Sequence, residues 1–512
     1  MALNRNIAYI DLNRKKVKIA PIPLEWRRVF LGGRGMGAYL FSKFISDECD
    51  PFGPDNVMVI SGGLLGGTLA APFSCAFIIA QSPLTNLLST GQIQGQFASE
   101  LRWAGFDHLV IMGRAKKPVY LYVRKGMVEI RDANKIWGKN ISKAQALIRM
   151  DLKNEDVRML CIGPAGEKLV RFATILSDQN TISGRTGLGA VFGSKNIKAI
   201  VCHGTMDLEV KHPGQILKYK RKINGHVVKD NIVKTDQFEL NLTIRDITGS
   251  GFTDFHRDSF SENNLLTQEL GIDPLTVREI LHWIFSLLEK GIIKSKETVG
   301  LKFNREDRDA VSKLIHSIAN RKGFGDVLAK GPFRAAELIG YSSLKYFVPV
   351  KFLIRLHSED PPFVNSGRDE PKEMILNCLG INVDKSSDYF ASGSDFRAFI
   401  EQIRFNTGLI FDENELKEIA YRCYAIERLF NIRKEEICRN NFKQDYSFDV
   451  PSGLEMTGAI WNSIDLKIYK RKVREYYKKR KLDKRNLLKA DILKKLKIAD
   501  LWSQEKDKEH TP

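Results

Sequence analysis

Between Ser183 and Gly193 the chain reads Ser183-Gly184-Arg185-Thr186-Gly187-Leu188-Gly189-Ala190-Val191-Phe192-Gly193, and Ser194-Lys195-Asn196-Ile197-Lys198-Ala199-Ile200 follows. Four glycines, a cation and a hydroxyl therefore stand where a loop should enter a helix and then a strand. The combination suits an anion, above all a phosphate. Glycine lets backbone N–H groups close on the ligand, a helix N-terminus adds partial positive charge, and the Arg185 guanidinium can fork onto two oxygens. Gly184, Arg185, Thr186 (through its carbonyl) and Gly187 are the candidate contacts. A tight loop packed beneath a sheet would use the same residue types, and glycine content alone does not separate the two readings.

The elements that must position this loop form a repeat. Val57 to Gly113 predicts a strand (Val57–Ile60), a Gly-rich turn, a second strand (Ala76–Ala80), a polar Gly/Gln loop (Ser89–Gly95), a short helix and a closing strand (His108–Gly113). Val157 to Gly204 repeats that order, with strands expected at Val157–Gly163, Val170–Leu176 and Asn196–Cys202. Two such halves suggest a pseudo-twofold base that presents equivalent loops to one ligand with two phosphate-bearing arms. Hairpins are expected around Asn13–Lys16 and Arg124–Gly126. After Lys211-His212-Pro213-Gly214 helical spacing takes over, for instance at Ile280, Leu281, Ile284, Leu287 and Leu288, with Gly291 as a stop signal. His282 on that helix reads as a packed or capping histidine.

The expected fold class is α+β, a β-rich pseudo-twofold base over residues 1–208 followed by mostly helical domains at 209–345 and 346–512, with strands confined to the base. A chain of 512 residues can bury several cores. No run approaches a membrane span, and Met1–Asp11 lacks the basic-then-apolar layout of a signal peptide, so a cytoplasmic protein is expected. Eighty Lys and Arg against 61 Asp and Glu give a formal charge of +19. Much of it lies in Lys467–Lys497, which reads as the solvated face of terminal helices in a thermophile-like composition, or as a footprint for an acidic partner or nucleic acid. No nucleic-acid motif supports the last of these.

At these residues the sequence resembles the tungstopterin aldehyde:ferredoxin oxidoreductase family. The resemblance runs through Leu31-Gly32-Gly33-Arg34-Gly35-Met36-Gly37-Ala38, Ser82-Pro83-Leu84-Thr85, Glu100-Leu101-Arg102-Trp103-Ala104-Gly105-Phe106-Asp107, Cys161-Ile162-Gly163-Pro164-Ala165-Gly166-Glu167 and the Gly184–Ile200 segment. It continues, more sparsely, at Ile318–Ala329, Glu427–Arg433 and Tyr476-Tyr477. It implies a tungsten- or molybdenum-bis-pterin held by the base, with helical domains closing over it. On the positions that match, the implied cofactor contacts are Ser74, Gln92, Gly95, Gly271, Asp273 and Asn377, besides the second loop already named. Ala76 stands where the family carries an arginine. Gln268-Glu269-Leu270-Gly271-Ile272-Asp273 matches an Asp-x-x-Gly-Leu-Asp pterin motif apart from its first carboxylate.

The family also carries a four-iron cluster held by a Cys-x-x-Cys-x-x-x-Cys run and by the cysteine closing an Asp-x-x-Gly-Leu-Cys motif. Here the first region reads Thr243-Ile244-Arg245-Asp246-Ile247-Thr248-Gly249-Ser250, and the second reads Asn377-Cys378-Leu379-Gly380-Ile381-Asn382. No two of the seven cysteines lie within three residues of each other, so no 4Fe-4S cluster is expected. Cys378 is off register and reads as a small core residue. The family's proton-transfer glutamate and histidine have no clear counterparts; His357 and Glu359 are the nearest substitutes for the second. Two functions stay open on this reading. One is a metal-pterin oxidoreductase acting on aldehydes. The other is a degenerate paralogue that keeps the fold and binds a partner. Expected partners are an acidic redox protein or an active paralogue, and a homo-oligomer is a further expectation.

Overall fold

The computed structural model describes residues 5–46, 48–69, 74–178, 183, 185–219, 257–294, 298, 308–346, 348–350, 353–355, 370–381 and 396–441. Outside them lie several positions singled out above: Gly184, the 243–250 stretch, His357, Glu359, Asn382, Tyr476-Tyr477 and the basic 467–497 segment.

The apolar runs that repeat in the sequence become two sheets of one design. In the first, the hairpin β1 (Asn6–Asp11) and β2 (Lys16–Pro21) joins β3 (Met58–Gly62), β4 (Cys75–Gln81), β5 (Leu88–Gln94) and β6 (Phe106–Met112) in the order β2-β1-β6-β3-β4-β5. The second holds the hairpin β7 (Val119–Arg124) and β8 (Met127–Asp132) with β9 (Arg158–Ile162), β10 (Ile175–Ser177) and β11 (Ile197–His203), ordered β8-β7-β11-β9-β10. Each hairpin lies parallel to the closing strand of its half, β1 on β6 and β7 on β11, and the remaining pairs are antiparallel. Both parallel pairs carry a one-residue bulge at the same place, Asp107 in β6 and Lys198 in β11. Inward-facing residues of the two sheets, among them Ile60, Ile78, Leu109, Leu121, Leu160 and Ile200, form the core between them.

Three expectations need correction. Ser89–Gly95 is not a loop, because Leu88–Gln94 pairs along its whole length with β4. Its Ser, Thr and Gln side chains have weak strand propensity, but a fully paired neighbour and a half-buried alternating pattern outweigh that. Val170–Leu176 is mostly a turn, with Leu169 at φ 58° and the Ala173 amide bonded to the Val170 carbonyl, and only Ile175–Ser177 pairs as strand. Strands also occur beyond the base, as the short hairpin of β12 (Val348–Val350) and β13 (Leu353–Arg355).

The C-terminal half is mostly helical. Helix Pro274–Glu289 starts at Asp273, whose carboxylate accepts from the Thr276 amide at 2.7 Å, and gives way to Gly291 at φ 65°. It packs with helices Arg308–Asn320, Phe324–Ala329 and Pro332–Ile339 against Ala165, Val170, Phe172 and Ala190 of the second half. Helices Glu370–Leu379, Phe396–Thr407 and Glu413–Asn441 pack with Gly33–Phe44 on the outer face of the first sheet. Each half of the base thus carries its own helical cluster. His282 is half-buried on its helix, and Cys378 is fully buried, as expected of a core residue.

Candidate cofactor site

The pseudo-twofold extends beyond the sheets. In the first half, the loop after β3 receives the segment that ends helix Glu370–Leu379. The Leu64 and Leu65 amides donate to the Cys378 and Leu379 carbonyls at 3.1 and 3.0 Å, the Cys75 amide donates to the Gly380 carbonyl at 2.8 Å, and Ser74 bridges Ile381. The second half repeats this seating with Gly271: the Thr174 amide donates to its carbonyl at 2.9 Å, the Asp273 amide donates to the Phe172 carbonyl, and Ala173 bridges Ile272. Gly380 and Gly271 share a left-handed backbone, at φ 79° and 73°. The loops leave no room for side chains at the crossing. A Cβ on Gly63 would lie 2.1 Å from the Gly380 Cα, and one on Gly163 would lie 2.4 Å from the Leu270 carbonyl carbon. Asn377–Ile381 and Gln268–Ile272 are therefore one motif used twice, a relation the sequence hid behind different side chains.

The two candidate loops also meet each other. The Ser82 hydroxyl donates to the Thr186 carbonyl at 2.7 Å, so this carbonyl, expected to be available, is engaged within the protein. The hydroxyls of Ser89 and Thr186 are hydrogen-bonded, and a Cβ on Gly91 would lie 2.1 Å from the Ser183 oxygen. Gly187 caps the following helix at φ 79°, with its α-carbon against the Arg171 carbonyl. Arg185 is held by acids of the helical layer: its Nε stands 3.6 Å from Asp273 Oδ2, and a terminal nitrogen donates to Glu279. Burial pushes the Glu279 carboxyl up to about 7, against the pull of Arg185.

In the first half, Ser74 accepts a hydrogen bond from the Gly67 amide at 3.0 Å, and Gln92 donates from Nε2 to Cys75 Sγ at 3.0 Å. Gly95 ends β5 at φ 103°, and Ala76 is fully buried within β4. Asn377 is 4% exposed, and its Oδ1 is buried with no hydrogen-bond partner.

Buried charges fix the loops that carry these residues. Asp107, in the bulge of β6, pairs with Arg102 at 2.7 Å and Arg27 at 2.8 Å, and the Arg102 guanidinium donates to the Leu64 and Gly66 carbonyls at 2.7 and 2.6 Å. Attraction from the two arginines holds the Asp107 carboxyl down at about 2 although burial alone would raise it. Beside it, His108 donates through Nδ1 to Ser61, which donates on to the Gly33 carbonyl, and burial depresses the imidazole to about 3. The second half solves the same problem with reversed signs: Lys198, in the bulge of β11, meets Glu167 at 2.5 Å, and Glu167 accepts from the Gly138 amide. Arg34 makes a bidentate pair with Glu427 at 2.7 and 2.8 Å, and Asn431, one turn on, accepts from the Leu88 amide at the start of β5. Most of the motif residues thus act on the site by holding its backbone. Glu279 is the residue that sequence reasoning missed. Its signal was an acid inside the otherwise apolar stripe around Ile280, Leu281 and Ile284.

Residues 7–204 match the family model for the aldehyde ferredoxin oxidoreductase N-terminal domain, and 244–359 with 374–498 match the model for its domains 2 and 3. The chain belongs to the aldehyde ferredoxin oxidoreductase family. A tungsten-containing aldehyde ferredoxin oxidoreductase of Pyrococcus furiosus is 30% identical over 411 residues, covering 66% of this chain and 68% of that protein. A second relative from P. furiosus, the WOR-like subunit of an aliphatic sulfonate oxidoreductase, is 26% identical but covers 98% of this family member and 97% of its own length. Among solved structures, the active-site complex BamBC of benzoyl coenzyme A reductase with 1,5-dienoyl-CoA matches with a TM-score of 0.81 at 20% identity, covering 98% of both chains. That likeness speaks to the fold. Among the described residues no helix is long and apolar enough to cross a membrane, and no group of three or more His, Cys, Asp and Glu could hold a metal ion.

Proposed function

We propose that this chain holds a tungsten- or molybdenum-pterin cofactor across the seam of its two half-cradles and serves as an oxidoreductase subunit acting on an aldehyde, with electrons leaving by a route other than a cluster of its own. The observation that carries this reading is the mirrored seating of Asn377–Ile381 on Gly63 and of Gln268–Asp273 on Gly163, which suits a ligand with two like arms. The tungsten named for the 30%-identical relatives supports the choice of metal. The residues fit such a group. A pterin ring carries an amino group, and Asn377 presents a buried amide oxygen that lacks a donor. Gln268, at the equivalent place, is an amide as well. Arg185 would hold a phosphate, with Gly187 giving the backbone close approach.

When bound, the metal supplies two-electron oxidation, in which an aldehyde and water give a carboxylic acid, two protons and two electrons. The chain's own part is to hold the cofactor and to pass the electrons outward. With no closely spaced cysteines in the sequence, the acceptor is an external redox protein, and an acidic one would complement the charge of +19. Dye-linked turnover tests the reading: metal-loaded protein should oxidise aldehydes with an artificial acceptor, under conditions where a cluster-containing relative also works. A second reading, a non-catalytic companion subunit, draws support from Ala76 in place of a cation and from the two carboxylates already on Arg185. Absence of turnover in a metal-loaded sample would favour it.

A further inference from the structure

The Arg185 side chain keeps about a quarter of its surface exposed, 26%, while the two carboxylates that hold it are 4% and 7% exposed. The cation of the cofactor loop is thus reachable from solvent on one side and neutralised by buried acids on the other. The two acids differ in commitment. Asp273 Oδ2 also accepts from the Thr276 amide and hydroxyl, at 2.7 and 2.5 Å, so its charge is tied to the start of helix Pro274–Glu289. Glu279 lies further along that helix and is bonded to Arg185.

We propose that Glu279 is an internal anion that occupies Arg185 until it takes up a proton, so that a phosphate-bearing ligand enters this half of the cradle together with one proton. The inference rests on the reading of Arg185 as a cofactor-loop cation. The charged groups facing Glu279 are Arg185, Asp273 and Arg278. With Glu279 ionised, the two cations and two anions cancel, and an incoming dianion finds no net attraction. Protonating Glu279 leaves the group with one positive charge and frees the guanidinium fork for the ligand oxygens. The burial that pushes Glu279 up to about 7 sets the exchange near neutral pH.

Linkage gives the size of the effect. For an acid titrating at about 7 the protonated fraction falls about tenfold between pH 6 and pH 8, and affinity for the anion falls with it. Inorganic sulfate is the suitable probe, because its charge stays constant over this range whereas phosphate titrates within it. The experiment measures the thermal midpoint of the full chain against sulfate at pH 6 and pH 8, with ionic strength held by chloride. The native chain should bind sulfate about tenfold more weakly at pH 8 than at pH 6. Glu279→Gln, close to isosteric, should bind at pH 8 about as well as the native chain does at pH 6, with no pH dependence, and Arg185→Met should lose the response in either background. The same pH profile in Glu279→Gln as in the native chain, or no sulfate response in Glu279→Gln at either pH, would overturn the proposal. Metal content, read on the same preparations, separates this from the function proposed above. The titration uses preparations shown to be metal-free, in which Arg185 is open to sulfate, so the anion exchange fails on the Glu279→Gln profile alone, whereas the cofactor reading fails only if tungsten and molybdenum are absent from protein made under conditions that load a 30%-identical relative.

Discussion

Gly63→Ala puts a methyl group where the first half of the base meets its docked motif. The new Cβ would lie 2.1 Å from the Gly380 Cα and 2.2 Å from its amide nitrogen, both backbone atoms that cannot swing aside. Ordinary contact begins at 3.4 Å, so the 378–381 segment must retreat by more than about 1 Å. That displacement breaks the bonds from the Leu64, Leu65 and Cys75 amides to the Cys378, Leu379 and Gly380 carbonyls. At about 1 kcal/mol each the loss is about 3 kcal/mol, or about a hundredfold in the local opening equilibrium. Native-state hydrogen exchange reads it directly, as a hundredfold loss of protection at these three amides. A global midpoint would be a poorer assay in a chain with several cores. Gly163→Ala should produce a matching loss at the Thr174 and Asp273 amides of the other half. Gly126→Ala, with nothing within 4 Å of its Cβ, should leave all five amides unchanged. Protection at Leu64, Leu65 and Cys75 that survives Gly63→Ala within about twofold would refute the claim that this crossing seats the motif.

Asp107→Asn removes the counter-charge of two fully buried arginines and should cost about 3–5 kcal/mol, read as a lower urea midpoint; a preserved midpoint would show that the pair does not hold the loop. His108 titrates at about 3 when folded against 6.5 ordinarily, so between those values the unfolded chain takes up a proton that the folded chain refuses. Stability should therefore fall as pH drops from 6.5 toward 3, and His108→Asn should flatten that acid limb in pH-dependent urea melts. Glu279 has the opposite sign: with its carboxyl raised from 4.5 to about 7, its stabilising contribution is complete below 4.5 and is lost as pH rises through 7. Glu279→Gln should abolish that decline. Arg34→Lys replaces a bidentate fork with a point charge and should cost about 1–2 kcal/mol, with faster exchange at the Leu88 amide that Asn431 holds.

The base was legible because its strands are apolar runs long enough to stand out. Val57–Ile60, Ala76–Ala80 and Ile197–Cys202 carry branched and small apolar residues buried on both faces. Helix Pro274–Glu289 was legible from its apolar spacing over Val277–Lys290, whereas its start at Asp273 was not, because that residue read as part of a cofactor motif. β5 was not, because Leu-Ser-Thr-Gly-Gln-Ile-Gln becomes a strand only against β4. The equivalence of Asn377–Ile381 with Gln268–Ile272 was hidden for a related reason. What the two share is a Leu-Gly-Ile core whose meaning lies in backbone contacts with Gly63 and Gly163, residues about a hundred or more positions away. Sequence reasoning took one as a pterin motif and the other as the remnant of a cluster motif. Arg185 was found as a cation of the right loop, but its two acids come from a helix that begins almost 90 residues later, and nothing in the local pattern joins them.

The direct test of the proposed cradle is the metal and pterin content of protein purified anaerobically from its own source, or from a host supplied with tungstate and molybdate, by elemental mass spectrometry normalised to protein. Near-stoichiometric tungsten or molybdenum with little iron is the expected result, and Asn377→Ala should lower it. Neither metal in native protein, under conditions that load a 30%-identical relative, would contradict the cradle reading and leave the fold as a scaffold for a partner.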